Sequence, residues 1–70
     1  MEVLVFKTNI YQKQDIEKVR PFFNDYRDIL KWHVDIDDED CVLRIEAQEN
    51  IVGKIQNLVQ DAGYWCAELQ

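Results

Sequence analysis

Residues 30–47 read LKWHVDIDDEDCVLRIEA, and this stretch does most to decide the fold. Its first part alternates between apolar and polar residues, which is typical of a half-buried strand. The apolar side consists of Leu30, Trp32, Val34 and Ile36. An acidic turn follows, and a second alternating run has one face made of Cys41, Leu43 and Ile45 and another made of Val42, Arg44 and Glu46. Together the two runs predict an antiparallel β-hairpin.

The segment before this hairpin predicts a strand and then a helix. Residues 2–7, EVLVFK, are apolar on both faces, as expected of a strand in the middle of a sheet. Apolar residues then recur at helical spacing, at Ile16, Val19, Phe23 and Tyr26. Because Pro21 interrupts this pattern, we expect a kink there or a helix whose first turn is irregular.

A second helix and a last strand are predicted after the hairpin. Asn50 is a favourable N-cap, Gly63 suits the C′ position that ends a helix, and residues 64–69, YWCAEL, form the strand. The element order is therefore βαββαβ, in one α+β domain spanning residues 1–70. Right-handed crossovers then place both helices on one face of a four-stranded antiparallel sheet in the order 4-1-3-2, the ferredoxin-like plan.

Composition limits the classes of partner. The 70 residues have a net charge of -6 and no basic run, so nucleic acid and anionic membrane are poor partners. The amino-terminal MEVLVFK has an acidic residue and a short apolar run, unlike a signal peptide, and no segment is long enough to span a bilayer. A cytoplasmic location is expected.

The body of the chain, from Asp15 onward, resembles the heavy-metal-associated (HMA) domains of small copper chaperones and heavy-metal ATPases. The matching features are the helix after a short first strand, WHVDI before a polar turn, VLRIE, the helix IVGKIQNLVQ, and AGY before the last strand. The resemblance implies the ferredoxin-like fold. In the family, a Met-x-Cys-x-x-Cys loop between the first strand and first helix binds Cu(I) or another soft ion through two thiolates.

The corresponding loop of this chain, within residues 6–14, FKTNIYQKQ, has no sulfur. When Ile16 is aligned with the apolar residue four places after the second family cysteine, the cysteine positions fall on Asn9 and Gln12, and Lys7 replaces the methionine. Carboxamides are weak donors for Cu(I). No cysteine occurs before position 41. We therefore predict that the loop binds no metal and that the protein has no cofactor.

Cys41, Cys66 and His33 are the remaining candidates for a soft-metal site. The predicted strand order puts the first strand between the two cysteines, at roughly 9 to 10 Å, beyond the ~7 Å limit for a disulfide. They are therefore expected to be reduced thiols. His33 is predicted on the open sheet face, roughly 10 Å from Cys41, too far for a Cys–His dyad. With one histidine and no serine, the sequence shows no nucleophile paired with a base. We therefore predict that the protein is not an enzyme.

The open face of the sheet is the last candidate surface. The first strand is apolar on both sides, so either Val3 and Val5 or Leu4 and Phe6 must face outward. A short internal repeat, VLVFKTN with VLRIEAQEN, favours Val3 and Val5, beside Val42, whereas the family alignment favours the other pair. The parity stays open at this point. An apolar strip here predicts a protein contact or a homodimer, and the alternative is ordinary apolar surface.

Two functions remain as hypotheses. The first is a small non-enzymatic HMA-like domain that lacks the usual soft-metal site and serves as a protein-interaction or regulatory module, with Val3, Val5 and Val42 as its contact surface. The alternative is a copper-type metal-binding or transport protein with non-standard ligands such as Cys41, Cys66 or His33, within one chain or across a dimer.

Overall fold

The computed structural model describes residues 1–69, and Gln70, the last residue of the predicted domain, lies outside the described residues. The chain forms, in order, β1 (Glu2–Thr8), α1 (Lys13–Asn24), β2 (Ile29–Asp35), β3 (Val42–Ala47), α2 (Val52–Asp61) and β4 (Cys66–Glu68). This βαββαβ order confirms the predicted α+β fold.

The four strands form one antiparallel sheet in the order β2-β3-β1-β4, which is the predicted order read from the other edge. Val5 of β1 lies opposite Arg44 of β3, and His33 of β2 lies opposite the same arginine. On the other side of β1, Thr8 pairs with Cys66 of β4. The ferredoxin-like topology is therefore confirmed, with β1 between the two strands that carry or adjoin the cysteines.

The core lies between the sheet and the helices, and it explains the orientation of β1. Leu4 and Phe6 are buried, so the alternation of a strand directs Val3 and Val5 to the opposite, open face. The internal repeat therefore favoured the correct parity, and the family alignment favoured the wrong one. The buried apolar residues are Leu4, Phe6, Ile10, Val19, Phe23, Val34, Leu43, Ile45, Ala47, Ile51, Ile55 and Val59.

Strand β2 departs from strict alternation at Leu30. Ile29 pairs with Ala47 and Lys31 pairs with Glu46, so Leu30 is an extra residue between two consecutive pairs. Such a bulge shifts the alternation of side chains by one residue. As a result Ile29 packs against the core and Leu30 is 50% exposed. The prediction that Leu30 lies on the apolar side was wrong for this reason.

Cys41 lies in the turn before β3, outside the strand in which the sequence pattern placed it. Its φ of 47° is in the left-handed region, and its N–H donates to the carbonyl of Asp38 at 2.9 Å. A left-handed residue interrupts the extended backbone that alternation requires. The prediction that Cys41 shares the face of Leu43 and Ile45 as a strand residue was therefore wrong.

The helix boundaries also differ in detail from the predicted ones. Helix α1 is continuous through Pro21 and ends before Tyr26, which the apolar spacing had placed on its face. Helix α2 has Ile51 rather than Asn50 at its N-cap, although the Asn50 side-chain oxygen still accepts the N–H of Val52 at 3.3 Å. Within residues 1–69, neither helix is long and apolar enough to cross a membrane.

Gly63 ends α2, and its conformation positions the next residue, Tyr64. Its φ of 93° is readily adopted only by glycine. The N–H groups of Gly63 and Tyr64 donate to the carbonyls of Gln60 and Val59, each at 2.9 Å. This pair of bonds is a Schellman motif, so the predicted C′ role of Gly63 is confirmed. The turn brings the Tyr64 side chain to the start of α1.

Candidate functional site

The loop that joins β1 to α1, residues 9–12, contains both positions that the family resemblance assigns to thiolates. Asn9 is exposed, but its side-chain oxygen accepts the N–H of Trp65 at 2.7 Å, and its own N–H donates to the Trp65 carbonyl at 3.3 Å. These two bonds extend the pairing of β1 with β4 by one residue. The Asn9 carboxamide therefore stabilises the backbone of a neighbouring segment.

The middle of the loop is attached to the core. The Ile10 side chain is fully buried, and its N–H donates to the Thr8 hydroxyl at 3.0 Å. That hydroxyl in turn donates to the Cys41 carbonyl at 2.7 Å, joining the loop to the turn before β3. Opening the loop would expose Ile10, at a cost of about 1.5 to 3 kcal/mol for a large aliphatic side chain.

Asp15, in the first turn of α1, is the centre of a hydrogen-bond network around the loop. One carboxylate oxygen accepts the N–H groups of Tyr11 and Gln12 at 3.3 and 3.2 Å. The other accepts the Tyr64 hydroxyl at 2.6 Å. The side chain is buried, and a carboxylate at a helix N-terminus is further stabilised by the helix dipole. The Asp15–Tyr64 pair therefore connects the loop, the start of α1 and the turn after α2.

This pairing shifts the pKa of both side chains. The Tyr64 hydrogen bond lowers the pKa of Asp15 below its ordinary value, more than desolvation raises it, and the N–H groups of Tyr11 and Gln12 act in the same direction as Tyr64. The hydrogen bond to Asp15, together with burial, raises the pKa of Tyr64 to about 12. At neutral pH the carboxylate is ionised and the phenol is protonated, which are the forms that the hydrogen bond requires.

The two cysteines are free thiols that lie on opposite sides of β1. Cys66 is paired with Thr8, and the same threonine donates its hydroxyl to the Cys41 carbonyl. Burial raises the pKa of the Cys66 thiol to about 11. Burial, followed by the charges of Asp38 and Asp40, also raises the pKa of Cys41. Soft metals bind the thiolate, so both environments disfavour the form that a metal site needs.

His33 and the carboxylates of the acidic turn are the other polar groups of the hairpin. His33 is exposed on the open face, opposite Arg44. In the turn, the carboxylates of Asp35 and Asp38 accept the N–H groups of Asp37 and Asp40 and so stabilise the turn itself. In the part of the chain that the structure describes, no group of three or more His, Cys, Asp or Glu side chains is placed to hold a metal ion.

The three predicted contact residues all lie on the open sheet face. Val3 pairs with Glu46 and is 47% exposed, and Val5 pairs with Arg44 and is half-buried. Val42 precedes Arg44 by two residues in β3, so it points to the same face. The structure therefore brings these valines to one surface.

Sequence reasoning missed the contribution of β4 to this surface. Ala67 lies opposite Lys7, so its side chain is on the open face. Trp65 and Leu69 are two residues before and after Ala67 and therefore point to the same face. The N–H of Leu69 donates to the Val5 carbonyl at 2.8 Å, which extends the pairing of β4 with β1. Trp65 is 49% exposed and Leu69 is 38% exposed. The alternation in YWCAEL could have placed them there once the parity of β1 was known. We call Val3, Val5, Trp65, Ala67 and Leu69 the apolar strip.

Four charged residues and His33 occupy the other half of the open face, on β2 and β3. These are Lys31, His33, Asp35, Arg44 and Glu46, and we call them the charged half. Lys7 lies at the end of the apolar strip, with its ammonium 5.8 Å from the centre of the Trp65 ring. The face therefore combines an apolar surface with charges of both signs, a composition suited to binding a protein.

No protein-family model matches the chain, and no curated protein matches it. Solved structures do match. The yeast copper transporter domain CCC2A, studied in apo and Cu(I)-loaded states, has a TM-score of 0.83 at 8% identity, over 100% of this chain and 97% of that one. The N-terminal domain of ZntA in the Zn(II) form has a TM-score of 0.80 at 17% identity, over 97% and 92%.

A third similar structure is the apo form of the HMA domain of the copper chaperone for superoxide dismutase. Its TM-score is 0.79 at 15% identity, over 97% of this chain and 66% of that one. At such identities the similarity concerns the fold, and it extends over nearly the whole of the described chain. The chain therefore has the fold of the heavy-metal-associated domains.

Proposed function

We propose that this protein is a single, non-enzymatic HMA-fold domain that has no soft-metal site and binds a partner protein through its open sheet face. The observation that carries the proposal is the chemistry of the loop between β1 and α1. Asn9 and Gln12 occupy the positions assigned to thiolates, and Asn9 instead binds the backbone of Trp65. Replacing two thiolates by neutral oxygen and nitrogen donors removes the affinity for Cu(I).

The surroundings of the loop support the same conclusion. The loop is stabilised by the buried Ile10 and by Asp15, whose carboxylate accepts the Tyr64 hydroxyl and two backbone N–H groups. A loop that exchanges a metal ion needs ligand side chains that are free to change partners. The side chains of Asn9 and Asp15 already have hydrogen-bond partners, Trp65 and Tyr64. In our proposal the loop is a structural element, and its fixed geometry holds Trp65 in place on the open face.

The interaction role is supported by the apolar strip. Trp65 is an exposed aromatic residue held by hydrogen bonds, and tryptophan is strongly enriched among the residues that dominate binding energy at protein interfaces. Val3 and Leu69 are also exposed and lie on the same face. An enzymatic role has no comparable support, because both thiols have raised pKa values and His33 lies apart from them.

A second candidate function is binding of a soft metal, and the structural neighbours favour it, since ZntA was solved in a Zn(II) form and CCC2A in a Cu(I)-loaded state. In this chain the ligands would be Cys41, Cys66 or His33. Cys41 and Cys66 lie on opposite sides of β1 and His33 lies on the open face, so we expect such a site to need two chains.

The experiment is a competition for Cu(I) between the reduced protein and a chromogenic chelator of known affinity. We expect the protein to take no Cu(I) from the chelator. Retention of about one equivalent per chain would contradict the proposal and support the second candidate. The variants Cys41→Ala and Cys66→Ala would then identify the ligand.

A cytoplasmic location is part of the proposal, because a reducing compartment maintains free cysteines such as Cys41 and Cys66. Fractionation of cells that produce the tagged protein tests this directly. Recovery in an oxidising compartment would contradict it.

A further inference from the structure

We propose that the partner of the open sheet face is a second copy of this chain, bound face to face about a twofold axis that runs across the strands near Val5, Arg44 and His33. This inference rests on the proposed interaction role of that face and specifies its occupant. The argument comes from the arrangement of charges and apolar groups along the paired strands.

The strand register divides the face into rows that cross the sheet. The middle row contains His33, Arg44 and Val5, which lie opposite one another on β2, β3 and β1. The row on one side contains Lys31, Glu46 and Val3. The row on the other side contains Asp35 and Val42, and the continued register of β1 adds Lys7. A twofold axis along the middle row would exchange the two outer rows.

That exchange brings opposite charges together. Each strand lies over the same strand of the second copy but runs in the reverse direction, so Lys31 of β2 meets Asp35 of the second copy. Glu46 of β3 lies close to Lys7 of the second copy, one strand away, at a lateral spacing of about 4.8 Å. Contacts between the two outer rows occur twice, and residues on the axis meet their own copies once. The outer rows are therefore complementary in charge, whereas Arg44 on the axis lies over Arg44 of the second copy, with Glu46 of each copy one row away.

The same axis lays only the middle of the apolar strip over itself. Val5 lies on the middle row and Leu69 donates its N–H to the Val5 carbonyl, so each of these residues meets its own copy. Val3 lies over Lys7 of the second copy, and Ala67 and Trp65 lie towards one end of β4, away from the axis. Leu69, an exposed large apolar residue, would then become buried. Two chains of net charge -6 repel each other, and this face reduces the repulsion because it carries Lys7, Lys31 and Arg44 against only two acidic residues.

The size of the face sets the strength expected. Four strands about 4.8 Å apart, with about five residues of each at about 3.3 Å per residue, give a face of roughly 19 by 17 Å. Counted over both copies, this is roughly 650 Å² of flat area, below the roughly 1,200 Å² at which standard interfaces begin and in the range of weak, transient contacts. We therefore expect a reversible dimer with a dissociation constant in the micromolar to millimolar range rather than a permanent one.

The first test is sedimentation of the reduced full chain over a concentration series up to about 1 mM. We expect a monomer–dimer equilibrium that Leu69→Lys weakens by at least roughly tenfold, because a charge replaces an apolar residue in both copies. Asn57→Lys adds the same charge to an exposed position of α2 and is the matched control. It should leave association unchanged or strengthen it. Circular dichroism verifies that each variant is folded.

The second test distinguishes the twofold arrangement from a general effect of charge. Lys31→Asp and Asp35→Lys each place like charges opposite one another twice, so each single variant should weaken the dimer by roughly threefold to thirtyfold. The double variant Lys31→Asp/Asp35→Lys reverses both members of each pair and should restore wild-type affinity. Asp61→Lys changes the net charge as Asp35→Lys does, at an exposed position away from the face, and should not weaken the dimer.

Two results would overturn the inference. A protein that remains monomeric at about 1 mM has no such dimer. Strengthening of the dimer by both Asp35→Lys and Asp61→Lys would show that net charge alone governs association, which excludes the proposed axis. Neither result bears on Cu(I) retention, which tests the proposed function separately.

Discussion

Replacing Tyr64 by phenylalanine removes one hydroxyl from the network around the loop and should destabilise the fold. That hydroxyl donates to Asp15 at 2.6 Å, and it is the only contact joining the turn after α2 to this carboxylate among the hydrogen bonds of residues 1–69. Phenylalanine has nearly the same shape, so packing is retained. The change therefore isolates the hydrogen bond.

The expected magnitude follows from the type of bond. A hydrogen bond to a charged group contributes about 1.5 to 3 kcal/mol, and because Tyr64 is only half-buried we take the lower limit, about 1.5 kcal/mol. For a domain of this size, each kcal/mol lowers the midpoint of thermal unfolding by about 4 to 8 °C. Tyr64→Phe should therefore lower the midpoint by roughly 6 to 12 °C.

The assay is urea and thermal unfolding of the wild type, Tyr64→Phe and Tyr11→Phe. Tyr11 is 62% exposed, so loss of its hydroxyl should change the free energy of unfolding by less than about 0.5 kcal/mol. Equal stabilities of wild type and Tyr64→Phe would refute the account of the loop as an element held by the Asp15–Tyr64 pair.

The same variant should change the dependence of stability on pH. The folded pKa of Tyr64 is raised from 10.0 to about 12, so its contribution is complete below pH 10 and is lost as the pH rises through 12. Tyr64→Phe has no hydroxyl to ionise. The difference in free energy of unfolding between wild type and variant should therefore shrink as the pH rises from 10 to 12. The absorbance change of the Tyr64 phenolate near pH 12 should be absent from the variant. The pKa of Asp15 is lowered, so its contribution is lost at the acidic end, as the pH falls through its folded value.

Three further changes test other parts of the structure. Gly63→Ala should lower the free energy of unfolding, measured in urea, by about 1 kcal/mol, because its φ of 93° disfavours alanine although no atom lies near the added methyl group. Gly53→Ala in α2 is the control and should be neutral or stabilising. Ile10→Ala should cost about 2 to 5 kcal/mol in the same assay, and a cost below 1 kcal/mol would contradict the full burial of that side chain. Alkylation of Cys66 at neutral pH should be roughly a hundredfold slower in the folded than in the unfolded chain, because burial raises its pKa from 9.0 to about 11, and equal rates would exclude that burial.

The order of elements and the strand order could be predicted because they depend on patterns spread over many residues. The apolar spacing in α1 and α2 and the hairpin around the acidic turn each repeat the same signal several times. The parity of β1 could not be predicted, because Val3, Leu4, Val5 and Phe6 are all apolar and either pair could be buried. Only packing against the helices decides it.

Local departures from pattern were predicted less well. The bulge at Leu30 has no turn residue to mark it, and the left-handed conformation of Cys41 depends on how the acidic turn closes. The Asp15–Tyr64 pair was missed because its members are 49 residues apart in sequence, and the AGY motif that contains Tyr64 does not indicate its partner. In contrast, the absence of sulfur from the loop follows directly from the residues at positions 9 and 12, and no structure was needed to see it.

Cu(I) competition against a chelator, performed side by side on the wild type and on the double variant Asn9→Cys/Gln12→Cys, tests the central claim most directly. If missing sulfur is what separates this HMA fold from a soft-metal site, the wild type will retain no Cu(I) and the double variant will retain about one equivalent. Retention of Cu(I) by the wild type, at the level of the double variant, would contradict the account.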